Sequence, residues 1–435
     1  MYYIGIMTGN SLDAVDVVIT DFSHDNIKDI CAHSLPIPQN IADNFRSLKE
    51  EIKLVQGNIE KIYNKDKSRF HSLHDEYIKI VADTVNQVIK KAGLTNKDIK
   101  AIGFHGQTCY HNPPSIAQGN PNTLQIGSGQ MLAELAGIPV AYDFRSDDIM
   151  NGGEGAPLAP IHNQHLALSL KEKGIFPLVF LNAGNTGNLS VISHDKDYNI
   201  KTFGWDTGPF NNFIDYLART EQNTPCDFDG KFGAQGKINY ELLRKLFDNA
   251  VICRDESNFI TKIPPKSSDP AWYKILPEMT DKNISFYDRI RTAEFFSAYI
   301  MAYNLKFISS DVAKPQYFIT FGGGWKNPIV IEDFKNLLSG NAKVLPEHSS
   351  VFEAIKNQNA IFTSSDTYDY SAQYMEARIF ADMAYCLDNN IAYSTPETTG
   401  CKTPTVCGIF AYPNGNDAHL WSRASYGWSP KKRTL

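Results

Sequence analysis

Residues 3–19 read YIGIMTGNSLDAVDVVI, and residues 178–192 read LVFLNAGNTGNLSVI. Each stretch is a buried-type apolar run, a turn of glycine and small polar residues, and a β-branched run that partly alternates. The pattern predicts strand, tight turn and return strand in both places. Hairpins are common, so two of them are thin evidence for a repeat. Their matched tips nonetheless favour two related α/β domains facing one another.

Outward from the first hairpin, helical apolar spacing runs from about Ser68 to Ala92, with Ile78, Val81, Val85, Val88 and Ile89 on it. Ile99–Phe104 reads as a buried strand that ends in the polar group His105-Gly106-Gln107-Thr108. Leu124–Gly127 and Pro139–Tyr142 are further strands, with a short helix at Gln130–Ala136 between them. The glycine-rich stretch 151–157 (NGGEGAP) predicts a loop or hinge. A boundary there divides the chain into 1–145 plus about 390–435, and 146–389. Beyond the second hairpin, Asn211–Arg219, Asn239–Phe247, Phe286–Phe307 and Ser371–Leu387 have helical spacing. Tyr317–Phe321 is a strand running into Gly322-Gly323-Gly324.

The 435 residues carry 42% apolar and 21% charged side chains, ordinary for a globular chain of more than one domain. A net charge of −6 argues against wrapping nucleic acid or lying on an anionic membrane. No apolar run of about 18 residues exists to span a bilayer. The first residues lack the basic region of a signal peptide. Seven unclustered cysteines read as reduced thiols, and a cytoplasmic location is expected. The basic residues of the tail 430–435 read as a solvated end.

The hairpin tips bring the chemistry. A glycine turn with Asn and Ser, as in Gly9-Asn10-Ser11, can cradle phosphate oxygens with backbone N–H groups. It can equally be a plain hairpin turn. Gly184-Asn185-Thr186-Gly187 is a second such tip, and Gly322-Gly323-Gly324 allows close backbone approach by a ligand. Asp13 and Asp16 follow the first tip, where a carboxylate can hold a metal ion through water. Residues 230–237 (GKFGAQGK) have one residue too many for a Walker A loop, and Gly127-Ser128-Gly129 lacks the third glycine of a dinucleotide fingerprint. Asp206, in Trp205-Asp206-Thr207-Gly208-Pro209, suits either a general base at a strand end or a helix N-cap. His105, Gln107 and Thr108 supply the paired donors and acceptors that sugar hydroxyls need, and Arg145 could clamp a carboxylate. His162 and His165 lack a third ligand at zinc spacing. No Gly-x-Ser-x-Gly elbow appears.

Taken together and in order, these pieces resemble the anhydro-N-acetylmuramic acid kinase family. The carrying motifs are GIMTGNSLDAVD (5–16), GFHGQT (103–108), TLQIG (123–127), DFRSDDIMNGGEGAPL (143–158), LNAGNTGNLSV (181–191), WDTGPFN (205–211), DFDG (227–230), PPKS (264–267), FGGGWKNP (321–328) and MEARIFA (375–381). The resemblance implies two α/β domains of the actin-like ATPase, or ribonuclease H-like, type with a nucleotide in the cleft. It also implies an ATP-dependent reaction in which water opens a 1,6-anhydro sugar and the freed O6 is phosphorylated, as part of cell-wall recycling. Asp206 matches the family's catalytic aspartate, and Gln107, Thr108, Arg145 and Glu376 match its substrate-side residues. Gly9, Asn10, Ser11, Leu12, Asp13, Ala14, Val15 and Asp16 match its ATP-binding stretch. Gly184, Asn185, Gly322, Gly323, Gly324 and Asn327 complete the expected nucleotide contacts, with Asp13 as the carboxylate nearest Mg²⁺. The expected partners are the sugar and ATP, with no nucleic acid or membrane; a homodimer stays open. Asn185 and Phe210 stand where the family usually has glycine. They keep two alternatives in view: a kinase for another anhydro sugar such as levoglucosan, and a nucleotide-binding relative that serves as a sensor or interaction module.

Overall fold

The computed structural model describes residues 1–23, 27–117 and 120–426; the basic tail lies outside them. The chain divides into two compact units, Met1–Ser169 with Tyr374–Leu435, and Leu170–Gln373.

In the first unit the predicted hairpin forms β1 (Tyr2–Thr8) and β2 (Ala14–Asp21). A third strand that the sequence reading lacked, β3 (Lys28–Pro36), continues the antiparallel order. On the other side of β1, β4 (Ile99–Phe104) pairs parallel. β5 (Gln107–Asn112) and β6 (Asn122–Ile126) make a separate two-stranded ribbon. β7 (Val140–Tyr142) lies parallel to β4, and Ile409–Ala411 closes that edge antiparallel to β7. The sheet order is β3-β2-β1-β4-β7 and then the closing strand.

The second unit repeats the plan. β8 (Leu178–Ala183), β9 (Thr186–His194) and β10 (Ile200–Pro209) run antiparallel in succession. β11 (Tyr317–Phe321) joins the other side of β8 in parallel, followed by β12 (Ile361–Ser364). The order β10-β9-β8-β11-β12 matches β3-β2-β1-β4-β7 of the first sheet, and the closing strand Ile409–Ala411 has no counterpart in the second. Every residue of β8 is buried, as a central strand covered on both faces requires. Two α/β units with one shared order, three antiparallel strands and then parallel ones, are the pair of related domains that the matched hairpins suggested.

One helix, Met375–Asp388, lies against the backbone of the first sheet. A Cβ added at Gly5 would stand 1.9 Å from the Ala377 carbonyl oxygen, and one at Gly103 would stand 1.8 Å from that of Phe380. Ile379, Phe380, Met383 and Ala384 share a core with Tyr3, Ala101, Ala141 and Phe144. Arg378, fully buried, closes on Asp29 of β3, with Nε donating to Oδ1 at 2.8 Å and a second bond to Oδ2. This packing places 374–389 with the first unit, whereas the sequence reading placed it with the second. The loop 151–157 also lies within that unit rather than at its limit. Gly155 N–H donates to Asp148 Oδ2 at 2.6 Å, Glu154 N–H donates to the Thr399 carbonyl at 2.8 Å, and Glu154 Oε2 accepts from Ser115 N–H at 2.9 Å.

His162 and His165 are not isolated. Nδ1 of each lies 2.8 Å from Oδ2 of the fully buried Asp382, and the Cys386 thiol donates to Asp382 Oδ1 at 3.6 Å. The third ligand-type group missing from the sequence pattern therefore exists, supplied by the helix Met375–Asp388. Burial opposes charge on Asp382, but the His165 charge and both histidine hydrogen bonds prevail and hold the carboxyl well below its ordinary range. Burial likewise opposes charge on His165, and Asp382 lifts it above 6.5. His162 is pulled down by burial and is the neutral partner.

Two outcomes are expected. Gly103→Ala forces the helix off the sheet and costs about 3 kcal/mol, measured as a lower urea midpoint at unchanged m. Asp382→Asn removes the carboxylate that keeps His165 protonated and bonds both histidines, and costs about 3–5 kcal/mol. In the wild type the Asp382 contribution is complete above its ordinary 3.8 and is lost as pH falls through the lower folded value. The His165 contribution is complete below 6.5 and is lost as pH rises through its raised value. Melting curves across pH for both proteins check this, because the variant lacks both limbs.

Candidate active site

Register sets where the functional side chains leave each sheet. In the first unit Ile6, Phe104 and Tyr142 form one row across β1, β4 and β7. Parallel strands end on the same side, so the tip after Thr8, the group after Phe104 and Asp143–Arg145 all follow carboxyl ends on one edge. In the second unit Asp206 on β10 pairs with Asn188, Asn188 with Asn182, and Asn182 with Phe321. That row places Asp206, the Gly184–Gly187 tip and the triple glycine at one edge of the second sheet.

The polar group after β4 is a connected set. Arg145 Nε donates to His105 Nε2 at 3.1 Å, and Arg145 NH1 donates to the Gly155 carbonyl at 2.6 Å. His105 is therefore neutral with its acceptor nitrogen toward arginine; burial first, then the Arg145 charge, puts its pKa well below the usual range. The same two causes bring His111 down to about 3. The Gln125 amide donates to Thr108 Oγ1 at 3.4 Å and to Thr123 Oγ1 at 2.9 Å. The Gln107 amide donates to the Thr108 carbonyl at 3.3 Å. Among the described residues, Oε1 of Gln107 and Oε1 of Gln125 are buried with no partner. Two buried acceptors without donors are costly. Gln125, within the motif TLQIG, was not singled out from the sequence. Glu376 sits in the first turn of the helix Met375–Asp388.

In the first tip, Leu12 rather than Gly9 takes the left-handed conformation, with φ 59°. The Leu12 side chain is buried, and its N–H closes the turn on the Gly9 carbonyl at 3.2 Å. Asn10 and Ser11 are exposed. Lys49 donates to Asn10 Oδ1 at 3.1 Å, Arg46 donates to the Ser11 carbonyl at 3.1 Å, and Ser11 Oγ donates to Asp13 Oδ1 at 2.6 Å. Asp13 is exposed. Asp16 instead accepts from Ser34 of β3, and the Ser34 hydroxyl also bonds the Tyr374 hydroxyl at 3.2 Å. Ala14 and Val15 open β2, which turns the chain back into the sheet.

The three glycines after β11 differ in kind. A Cβ at Gly322 would stand 2.6 Å from Asn182 Oδ1, and one at Gly324 would stand 2.2 Å from Asn211 Oδ1. Gly322 also has φ 92°. A Cβ at Gly323 meets nothing within 4 Å. Gly323 is thus the member open to an approaching ligand, and its neighbours are glycine for packing. The Asn327 side chain caps the helix Pro328–Ser339, accepting from Ile329 N–H at 3.0 Å, and donates to Glu294 Oε1 at 2.7 Å. Burial lifts Glu294 to about 9. Asn211 and Phe210 N–H groups close on the Gly184 and Asn185 carbonyls at 3.0 and 2.9 Å. Phe210 is fully buried and packs on Trp325 at 5.2 Å between ring centroids. Its bulk fills the core beside Gly187 and Gly324, which removes the observation that favoured a different sugar.

Asp206 is inside a strand and caps nothing. The N-cap position of the helix Asn211–Gln222 is Phe210, without a side-chain bond. Asp206 is buried, and its Oδ2 accepts from Ser267 Oγ at 2.9 Å and Ser268 N–H at 2.8 Å. Of the two roles its sequence context allowed, the cap is excluded. Asp215 on the same helix is a further carboxylate, lifted by burial to about 7; its motif neighbours gave no signal of that.

The repeated sheet order defines a protein of two related α/β units. A family model described as anhydro-N-acetylmuramic acid kinase matches residues 1–413. The chain belongs to that family. The anhydro-N-acetylmuramic acid kinase of Methylorubrum populi is 29% identical over 416 residues, covering 94% of this chain and 98% of that protein. The Haemophilus influenzae protein of the same name is 27% identical over 422 residues, covering 94% and 97%. Among solved structures, a xylulose-type kinase from Brucella ovis aligns over 95% of each chain at 11% identity and a TM-score of 0.39. Gluconate kinase from Lactobacillus acidophilus aligns over 95% of this chain and 94% of its own, at 12% identity and a TM-score of 0.34. All seven cysteines are free thiols, and among the described residues no helix is long and apolar enough to cross a membrane.

Gly187→Ala tests the second tip. Its Cβ would stand 2.7 Å from Thr207 Oγ1 and 3.0 Å from both Met301 Cε and Phe210 Cδ2. A loss of about 1–3 kcal/mol is expected, read from chemical denaturation.

Proposed function

We infer that this chain is an ATP-dependent anhydro-sugar kinase. It opens 1,6-anhydro-N-acetylmuramic acid with water and phosphorylates O6, giving N-acetylmuramic acid 6-phosphate and ADP, in peptidoglycan recycling in the cytoplasm. The observation that carries the reading is Asp206, a buried strand carboxylate fixed by two donors, in a chain of this family.

The chemistry assigns each group a task. Water attacks the anomeric carbon and gives its proton to Asp206. The bridging oxygen leaves that carbon on the opposite face, as in inverting glycoside hydrolysis, and as O6 it attacks the γ-phosphorus of ATP. Gln107 and Thr108 bind sugar hydroxyls, supported by the orphaned amide oxygens of Gln107 and Gln125. Arg145 pairs with the lactyl carboxylate, and Glu376 binds from the helix Met375–Asp388. Backbone of Gly9–Asp16, Gly184–Asn185 and Gly322–Gly324 takes the phosphates, with Gly323 the most open. Asn327 supports that stretch as the cap of the helix that follows. Mg²⁺ would neutralise phosphate charge, and the exposed Asp13 beside Ser11 fits a role holding it through water.

Asp206→Asn keeps an acceptor for Ser267 and Ser268 and removes the base. The variant is expected to melt as wild type and bind both ligands by calorimetry. Its kcat is expected to fall at least about 100-fold. Turnover near the wild-type rate would refute the assigned mechanism. A wild-type protein that binds both ligands but makes no phosphosugar by mass spectrometry would favour the sensor reading. Arg145→Lys cannot reproduce the paired bonds to His105 and Gly155. It is expected to raise the sugar KM about tenfold while the ATP KM holds. Excess chelator should stop turnover and added Mg²⁺ restore it.

A further inference from the structure

Behind Asp206 runs a segment, residues 258–268, that the reaction as assigned does not use. Its anchor is Lys266, whose side chain is fully buried. Lys266 Nζ donates to the carbonyls of Phe259 and Ile260, each at 2.9 Å, and lies 4.9 Å from the ring centroids of Phe259 and Phe307. Asn258 Oδ1 accepts from Ile260 N–H at 2.7 Å and tightens the same turn. The main chain at Lys266 then meets β10, where Asp206 N–H donates to the Lys266 carbonyl at 3.1 Å. The next two residues supply the donors to Asp206 Oδ2, from Ser267 Oγ and Ser268 N–H. Ser268 Oγ bonds the Tyr273 hydroxyl at 2.9 Å, and that hydroxyl bonds Thr186 Oγ1 in the second tip at 2.6 Å. The carboxylate is thus held on main chain and side chain by one strap that also reaches the tip.

We propose that Ser267 and Ser268, carried on the Lys266-anchored strap, are the positioning residues of the base, orienting the Asp206 carboxylate and keeping it ionised. This rests on the assignment of Asp206 as base. The physical reason is that a buried carboxylate rotates and takes up a proton unless donors fix it. Two donors on one oxygen fix the plane of the group and favour its charged form. Lys266 and Tyr273 are ionisable groups that face Asp206. Burial drives the Tyr273 phenol well above its usual range, so it stays neutral throughout the acid range, and it drives the Lys266 amine well below its usual range, which makes Lys266 the neighbour whose titration moves toward that of Asp206.

The test is the pH profile of kcat for Ser267→Ala and Ser267→Thr beside Asp206→Asn, with KM for sugar and ATP. For Ser267→Ala, kcat should fall about tenfold or more, with both KM values steady. Its acid limb should move to higher pH, because the carboxylate has lost a donor. Ser267→Thr keeps the hydroxyl and should restore rate and limb. A structural role alone would lower the melting temperature without moving the limb. If Ser267→Ala keeps the wild-type rate and limb while Asp206→Asn is inactive, the positioning proposal is overturned and the base assignment stands. If Asp206→Asn itself turns over normally, both fall. Should Ser267→Ala melt below the assay temperature, Ser267→Cys is read in the same way, since it keeps the volume and weakens the donor.

Discussion

Parallel pairing at the two central strands is the constraint on which the rest depends. β1 and β8 each carry antiparallel neighbours on one side and a parallel neighbour on the other. A parallel neighbour must return by a long connection, and its carboxyl end must fall beside that of the central strand. Polar and glycine-rich segments scattered through the sequence are thereby collected on one edge of each sheet. Thr8, Phe104 and Tyr142 each hand over to a polar segment there, and so do Ala183 and Phe321. Row registry extends the effect to Asp206, which reaches the edge through β9 and not through any proximity in sequence.

Close backbone approach is the second level of control. Gly5 and Gly103 let the helix Met375–Asp388 rest directly on the first sheet, and Gly322 and Gly324 let the loop after β11 press on Asn182 and Asn211. These glycines serve packing. Gly323, between two of them, is the one left open, so a run of three identical residues divides into two packed positions and one open one. The same division separates Asp13 from Asp16: the first is exposed beside Ser11, and the second is bonded to Ser34 inside the sheet.

Buried charge is managed by shared partners. Asp382 satisfies two histidines and a thiol, and Arg378 closes on Asp29. Lys266 is held by two carbonyls between two rings, and that arrangement fixes the strap whose next residues hold Asp206. Paired or multiply bonded groups of this kind tolerate low dielectric, whereas removing one partner leaves a charge or donor uncompensated.

Much of this was legible in the amino-acid sequence because the signals are local. Alternation and turn chemistry located β1, β2, β8 and β9, the apolar period located the helix Lys67–Lys91, and ordered motifs identified the family. What depends on partners distant in the chain was not. β3 is half-exposed and weakly patterned, and only its pairing with β2 makes it a strand. The Asp-Thr-Gly-Pro context of Asp206 left base and cap open, because either role satisfies local rules; pairing with β9 makes it a strand residue, and a strap sixty residues later orients it. Phe210 reads as bulk near a ligand until tertiary packing puts it in the core against Trp325. The sequence by itself determined the paired hairpins β1–β2 and β8–β9, their tips and the helix Lys67–Lys91, since those follow from neighbours a few residues away. Only the tertiary structure decided which glycine is open, which aspartate is held and which histidines share a carboxylate. Those outcomes are set by contacts between residues that the chain keeps far apart.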